Sequence, residues 1–210
     1  MAYVPRIQVP SAYLHVGTRG NNKCQIFLDD DDRRRFLLLL GKVAKKYDWS
    51  IYAHCLMGNH YHLVLRLAEA GLSRGMCELN TAYALGFNAR YQRINHLFGR
   101  RFWSEHIAKD AHLFEAIRYV VQNPVRAGFC RSCEEWPWSS YRGTVGLETA
   151  ERFLAVRDVL NFVAPNAADP GEGFRDFCSI IVPKRDGRSS DGKWQPLARN
   201  GRESVKTLVT

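Results

Sequence analysis

Between residues 60 and 67, large apolar and polar side chains alternate one by one. Tyr61, Leu63, Leu65 and Leu67 fall on one side of the resulting strand; His60, His62, Val64 and Arg66 fall on the other. The first side predicts a face packed against helices, and the second a face free for chemistry. Residues 50–57 read as a preceding strand, with Gly58-Asn59 as a two-residue hairpin between the two. Upstream, residues 11–17 predict a short strand with Leu14 and Val16 opposite Tyr13 and His15, followed by a loop over 17–22. Phe36, Leu37, Leu40 and Val43 recur at helical spacing after Asp29 to Asp32, acidic residues that favour a helix start. Ser73 is expected to cap a second helix, which runs through Leu79, Tyr83 and Phe87 to about Tyr91. A strand is expected near 102–109. Asp110 then caps a third helix that ends before Pro124, with Leu113, Ile117, Val120 and Val121 as its stripe. Weaker helical patterns lie near 152–163 and 172–181. The order strand, helix, strand, strand, helix, strand, helix predicts an α+β fold: an antiparallel sheet with helices on one face.

The chain has 210 residues, and 46% of them are hydrophobic, which excludes a wholly disordered protein. No apolar run approaches the ~18 residues of a membrane span. The start, Met1 to Arg6, shows no charged-then-apolar signal pattern, so a cytoplasmic location is expected. Six scattered cysteines do not form a disulfide framework, and Cys130 and Cys133 make a lone C-x-x-C without a second ligand pair. From residue 183 onward the chain is polar and basic, which predicts a disordered tail. The net charge of +9 is uneven: residues 72–109 hold six basic residues against two acidic ones. A polyanion partner, most commonly nucleic acid, accounts for this as well as a solvated basic surface does.

Three groups of residues suit chemistry. His60 and His62 occupy neighbouring same-side positions, where two neutral imidazoles can share a metal ion; H-x-H alone also describes two histidines on an exposed sheet face. Tyr119 and Asn123 lie one turn apart, off the centre of the third helix's stripe. Spacing permits a partly buried core aromatic there, or a phenol held toward the histidines with the asparagine oxygen as a further ligand. Arg100-Arg101-Phe102-Trp103, with Arg90 and Arg93 upstream, suits phosphates and unpaired bases, or else an ordinary loop with long side chains lying along the surface. No G-x-x-x-x-G-K-[ST] loop is present, so no nucleotide cofactor is expected.

These features converge on a family. Cys55-Leu-Met-Gly-Asn-His-Tyr-His-Leu-Val-Leu65 resembles the HUH motif of single-tyrosine transposases. His15-Val-Gly-Thr-Arg-Gly-Asn21 is similar to the family's N-terminal strand and loop, and Leu72-Ser-Arg-Gly-Met76 to the start of its second helix. Arg118-Tyr-Val-Val-Gln-Asn-Pro-Val-Arg-Ala-Gly128 resembles its tyrosine helix, and Trp136-Pro-Trp-Ser-Ser-Tyr141 its downstream motif. The group that matches best is the REP-associated tyrosine transposases. Four further motifs in the right order make this far more specific than H-x-H alone.

The resemblance implies a ferredoxin-like sheet in a domain over residues 5–145; helical patterning predicts an extension over 146–182, and composition a basic tail over 183–210. It implies that His60, His62 and Asn123 bind Mg²⁺ or Mn²⁺, and that Tyr119 is the nucleophile that cleaves and rejoins single-stranded or hairpin DNA through a 5′-phosphotyrosine. Arg19, Arg90, Arg93, Arg100, Arg101 and Trp103 are the expected DNA contacts. Monomer and homodimer stay open. The alternative is a non-catalytic, repressor-like DNA binder on the same scaffold.

Overall fold

The computed structural model describes residues 10–108 and 110–180. They form a four-stranded antiparallel sheet of order β2-β3-β1-β4: β1 (Tyr13–Arg19), β2 (Trp49–Leu56), β3 (His60–Leu67) and β4 (Trp103–Ile107). The hairpin between β2 and β3 closes with Met57 N donating to His60 O at 2.9 Å. A Cβ on Gly58 would meet only the end of the Gln25 side chain, which can move aside.

The alternation read along β3 holds. Tyr61, Leu63, Leu65 and Leu67 are fully buried in one core with Leu14 and Val16 of β1. Two helices cover this face, α1 (Asp30–Lys46) through Phe36 and Leu40, and α2 (Leu72–Arg90) through Leu79, Tyr83 and Phe87. Phe36 sits between them, its ring 4.5 Å from that of Tyr61 and 5.3 Å from that of Tyr83. Asp29 caps α1 by accepting from Asp32 N. Gly71, not Ser73, holds the N-cap position of α2, without a side-chain bond. The first turn of that helix lies against Trp49, where a Cβ on Gly75 would stand 2.3 Å from the indole.

The expected α+β architecture is present, but its helices are not confined to one face. Helix α3 (Asp110–Val121), continued by the short α4 (Asn123–Arg126), packs across β2 and β3 on the other side. Its stripe Leu113, Ile117, Val120 and Val121 is fully or almost fully buried, and meets Ala53, Cys55 and Val64. A register shift in β2 between Ile51 and Ala53 brings Tyr52 and Ala53 into this second core together. Half of the second face is therefore apolar and demands a cover; only its far end is left for polar groups.

The C-terminal segment adds α5 (Tyr141–Thr144), α6 (Val156–Val163) and α7 (Pro170–Ser179). Val159, Phe174 and Cys178 join the same core as α3. The 138–140 and 153–155 stretches cover the outer edge of β2: Leu56 N donates to Trp138 O at 2.8 Å and Ala155 N to Ile51 O at 2.8 Å. The predicted tail lies outside the described residues. Among the described residues, no helix is long and apolar enough to cross a membrane.

Phe36→Ala should cost about 3–5 kcal/mol in urea unfolding, because the void between three aromatic rings cannot collapse. Leu38→Ala on the exposed side of the same helix should stay within ~0.5 kcal/mol of the parent.

Candidate active site

At the open end of the second face, β3 presents His60 and His62 with ring centroids 5.1 Å apart. The expected loop over 17–22 is instead strand as far as Arg19, because β1 pairs with β3 along its full length. Arg19 stands opposite His60, Gly17 opposite His62, and His15 opposite Val64. Trp103 of β4 pairs with Gly17. Its indole lies across that glycine, where a Cβ would come within 2.6 Å. This lets it pack edge-on against His15 at 4.6 Å and His62 at 5.7 Å.

Hydrogen bonds orient both imidazoles of the H-x-H pair. Asn59 Nδ2 donates to Lys23 O at 3.1 Å, which fixes the amide so that its Oδ1 faces His60 Nδ1 at 2.7 Å. An amide oxygen only accepts, so His60 carries its proton on Nδ1 and keeps the Nε2 lone pair. His62 Nδ1 lies 3.1 Å from His15 Nε2, a bond in which one ring donates and the other accepts. Burial drives all three rings toward neutrality. The His15 pKa is lowered to about 3. That of His60 is lowered to about 4, by burial and then by the Arg19 charge. His62 falls well below its ordinary value, by burial and then by His60, His15 and Arg19. Neutral imidazoles oriented through the second ring nitrogen are the form in which histidine binds a metal.

Helix α3 brings the phenol to the same place. The Tyr119 ring lies 5.7 Å from that of His62 and 5.8 Å from that of His15, both edge-on. Asn123, at the start of α4 and 8% exposed, lies beside both the His60 ring and the Tyr119 side chain, raising the pKa of the first and lowering that of the second. Burial raises the Tyr119 pKa, while the Arg126 charge, the Asn123 hydrogen bond and the Arg19 charge pull it back. Arg126 lies over the tyrosine ring at 5.2 Å. The phenol is protonated at rest and stands between two cationic side chains.

The sequence-predicted residues thus divide. His60, His62, Tyr119, Asn123, Arg19 and Trp103 converge. Arg90 does not: its guanidinium binds Asp29 at 2.7 Å and Asp32 at 2.9 Å, tying the end of α2 to the start of α1. Arg93 lies over the Phe87 ring at 5.6 Å, and Arg100 and Arg101 are exposed on the loop before β4. Among the described residues no group of three or more His, Cys, Asp or Glu side chains is placed to hold a metal, and this includes the C-x-x-C pair. His15, Asn59 and Arg126 were missed. Alternation in β1 puts His15 on the face of Arg19, but which strand lies beside it is not written in that pattern.

The sequence profile of the IS200-like transposases matches residues 8–122, more than half of the chain. The chain belongs to this family. It is similar to a REP-associated tyrosine transposase of Haemophilus influenzae, 25% identical over 118 residues that span 51% of this chain and 67% of the relative. Its fold matches that of a solved REP-associated tyrosine transposase bound to a REP hairpin. The TM-score is 0.58 at 18% identity, over 73% of this chain and 90% of that one. Members of the IS200-like family are DNA-cleaving transposases, so the site must be judged as one that meets a phosphodiester.

The buried imidazoles of this IS200-like transposase fix a sign for its pH response in the absence of metal. Their folded pKa values lie below 6.5, so between 6.5 and the folded values the unfolded chain binds more protons. Stability should fall as pH drops from about 6.5 toward 4, with these groups adding nothing above 6.5. His62→Gln should lose less melting temperature across that window; equal losses would contradict the burial-driven shift.

Proposed function

We propose that Tyr119 attacks a phosphodiester of single-stranded or hairpin DNA. The Oη–phosphorus bond forms, the bond from phosphorus to the 3′ oxygen breaks, and a 5′-phosphotyrosine and a 3′-hydroxyl result. The phenol gives up its proton and the departing 3′ oxygen takes one up, so the step is proton-neutral. A second 3′-hydroxyl reverses it and joins strands. The observation that carries this reading is the convergence of the Tyr119 ring on the histidine patch, 5.7 Å from the ring of His62, whose own ring lies 5.1 Å from that of His60.

His60, His62 and Asn123 are the residues that would hold a divalent ion. Two neutral imidazoles with open Nε2 positions and one amide oxygen suit Mn²⁺ at least as well as Mg²⁺. Such an ion, when bound, polarises a phosphate oxygen and orients the scissile bond. Arg19, opposite His60, binds the phosphate as a fork of donors, and with Arg126 it favours the phenolate as the proton departs. His15 and Asn59 hold the two ligand rings in place. Trp103 closes the sheet side of the site against water.

The test is a denaturing gel of the full chain with Mn²⁺ or Mg²⁺ and single-stranded DNA drawn from the flanks of its own gene. A covalent protein–DNA band is expected, lost on chelation and absent from Tyr119→Phe, which should still bind the DNA within about twofold. Binding without any adduct would leave the non-catalytic DNA-binding reading instead. Asn59→Ala should weaken Mn²⁺ affinity roughly 10–100-fold, read by calorimetry, as the loss of a ligand's orienting partner does.

A further inference from the structure

A cleft of about 400 Å³ lies between α2 and the chain that leads into β4, within the range of small-ligand sites. One wall is a single stripe of α2, Asn80, Ala84 and Asn88, spaced four residues apart. The other runs from Ile94 through Asn95 and His96 to Phe98. Apart from His96, its polar side chains are amides and a hydroxyl, and two of the amides are fixed. Asn80 Oδ1 accepts from the Tyr61 hydroxyl at 2.6 Å, which leaves the amide nitrogen as a donor. Asn88 Nδ2 donates to Asn95 O at 3.0 Å, and Asn88 Oδ1 has no hydrogen-bond partner among the described residues. The Asn80 amide nitrogen is thus a donor in a cleft with an aromatic ring on its other wall, while Asn88 Oδ1 is buried. At the mouth, Ile94 is 97% exposed and Leu85 67% exposed, large apolar surfaces that no described residue covers.

This cleft is tied to the candidate active site. Its far wall is bonded to the end of β1: Asn21 N donates to Leu97 O at 2.8 Å, Gly99 N donates to Arg19 O at 3.1 Å, and Phe98 bridges Gly20. Arg19 therefore stands between the cleft and the histidines. The residues that follow the wall, Arg100 and Arg101, are exposed. An amide-lined slot with an aromatic wall, flanked by guanidinium groups, complements a planar base carried on an anionic backbone.

We propose that this cleft receives one unpaired nucleobase of the DNA whose phosphate lies at Arg19, and that it contributes to choosing where the strand is cut. The proposal rests on the DNA-cleaving reading above. The base stacks on Phe98 between Ile94 and Leu85, and its edge meets Asn80 Nδ2.

The test measures affinity of the full chain for hairpin oligonucleotides with single-stranded flanks, taken from DNA bordering its own gene. An abasic site is placed at each unpaired position in turn. At one position it should weaken wild-type binding roughly tenfold. Thr81→Trp, which fills the cleft from α2, should weaken binding of the intact strand by a similar factor and lose nothing further at that abasic position. His96→Ala, at an exposed site, should show the same non-additivity in a chain with an unchanged melting temperature. Losses that simply multiply, or variants that bind like the parent, overturn the base pocket and leave the cleavage reading standing. Failure of the parent to bind any of these strands overturns both.

Discussion

Strict alternation along β3 is the constraint on which the site depends. Tyr61 is fully buried with the rings of Phe36 and Phe98 beside it, and its hydroxyl is bonded to Asn80. Because that ring is anchored, its two sequence neighbours must both emerge on the opposite face, on adjacent same-side positions. A slip of one residue would send Tyr61 outward and both histidines into hydrocarbon. The aromatic core on one side of the sheet thereby places the imidazoles on the other, and the pairing of β1 with β3 adds Arg19, Gly17 and His15 to the same patch.

Burial then determines the chemical state of what has been gathered. Histidines on an open face would be partly charged near neutrality and would repel a cation. Covered by α3 and by Trp103, these three stay neutral, and the Nδ1 partners of His60 and His62 leave the same nitrogen of each ring available. The same cover holds Tyr119 as a phenol above its ordinary pKa. The charges of Arg126 and Arg19 act against that burial and favour the ionised form.

How far the sequence could be read follows from which forces are local. The periods of β3, α1 and α3 were visible because each repeats a hydrophobic stripe at fixed spacing. The H-x-H pair and the Tyr119–Asn123 turn were legible for the same reason. Spacing along one element says nothing about neighbours, so the packing of α3 over the histidines came only from a family resemblance. Arg90 shows the limit from the other side. Its charge suggested DNA, yet Asp29 and Asp32, some sixty positions away in the chain, claim it. Ser73 looked like a cap, but the close approach of α2 to Trp49 set the helix start at Gly71. His15 and Asn59 had no signal of their own: their roles exist only once strands pair and a hairpin folds against the 21–25 segment.

The account stands on one geometric claim, that the Nε2 atoms of His60 and His62 and the hydroxyl of Tyr119 face a common point. Anomalous diffraction from crystals of this chain grown with Mn²⁺ measures it directly. The account predicts a single strong peak within bonding distance of both Nε2 atoms, with the Asn123 side chain and the Tyr119 hydroxyl turned toward it. A peak at the Nδ1 atoms, at another part of the surface, or at the histidines with Tyr119 directed away would contradict it.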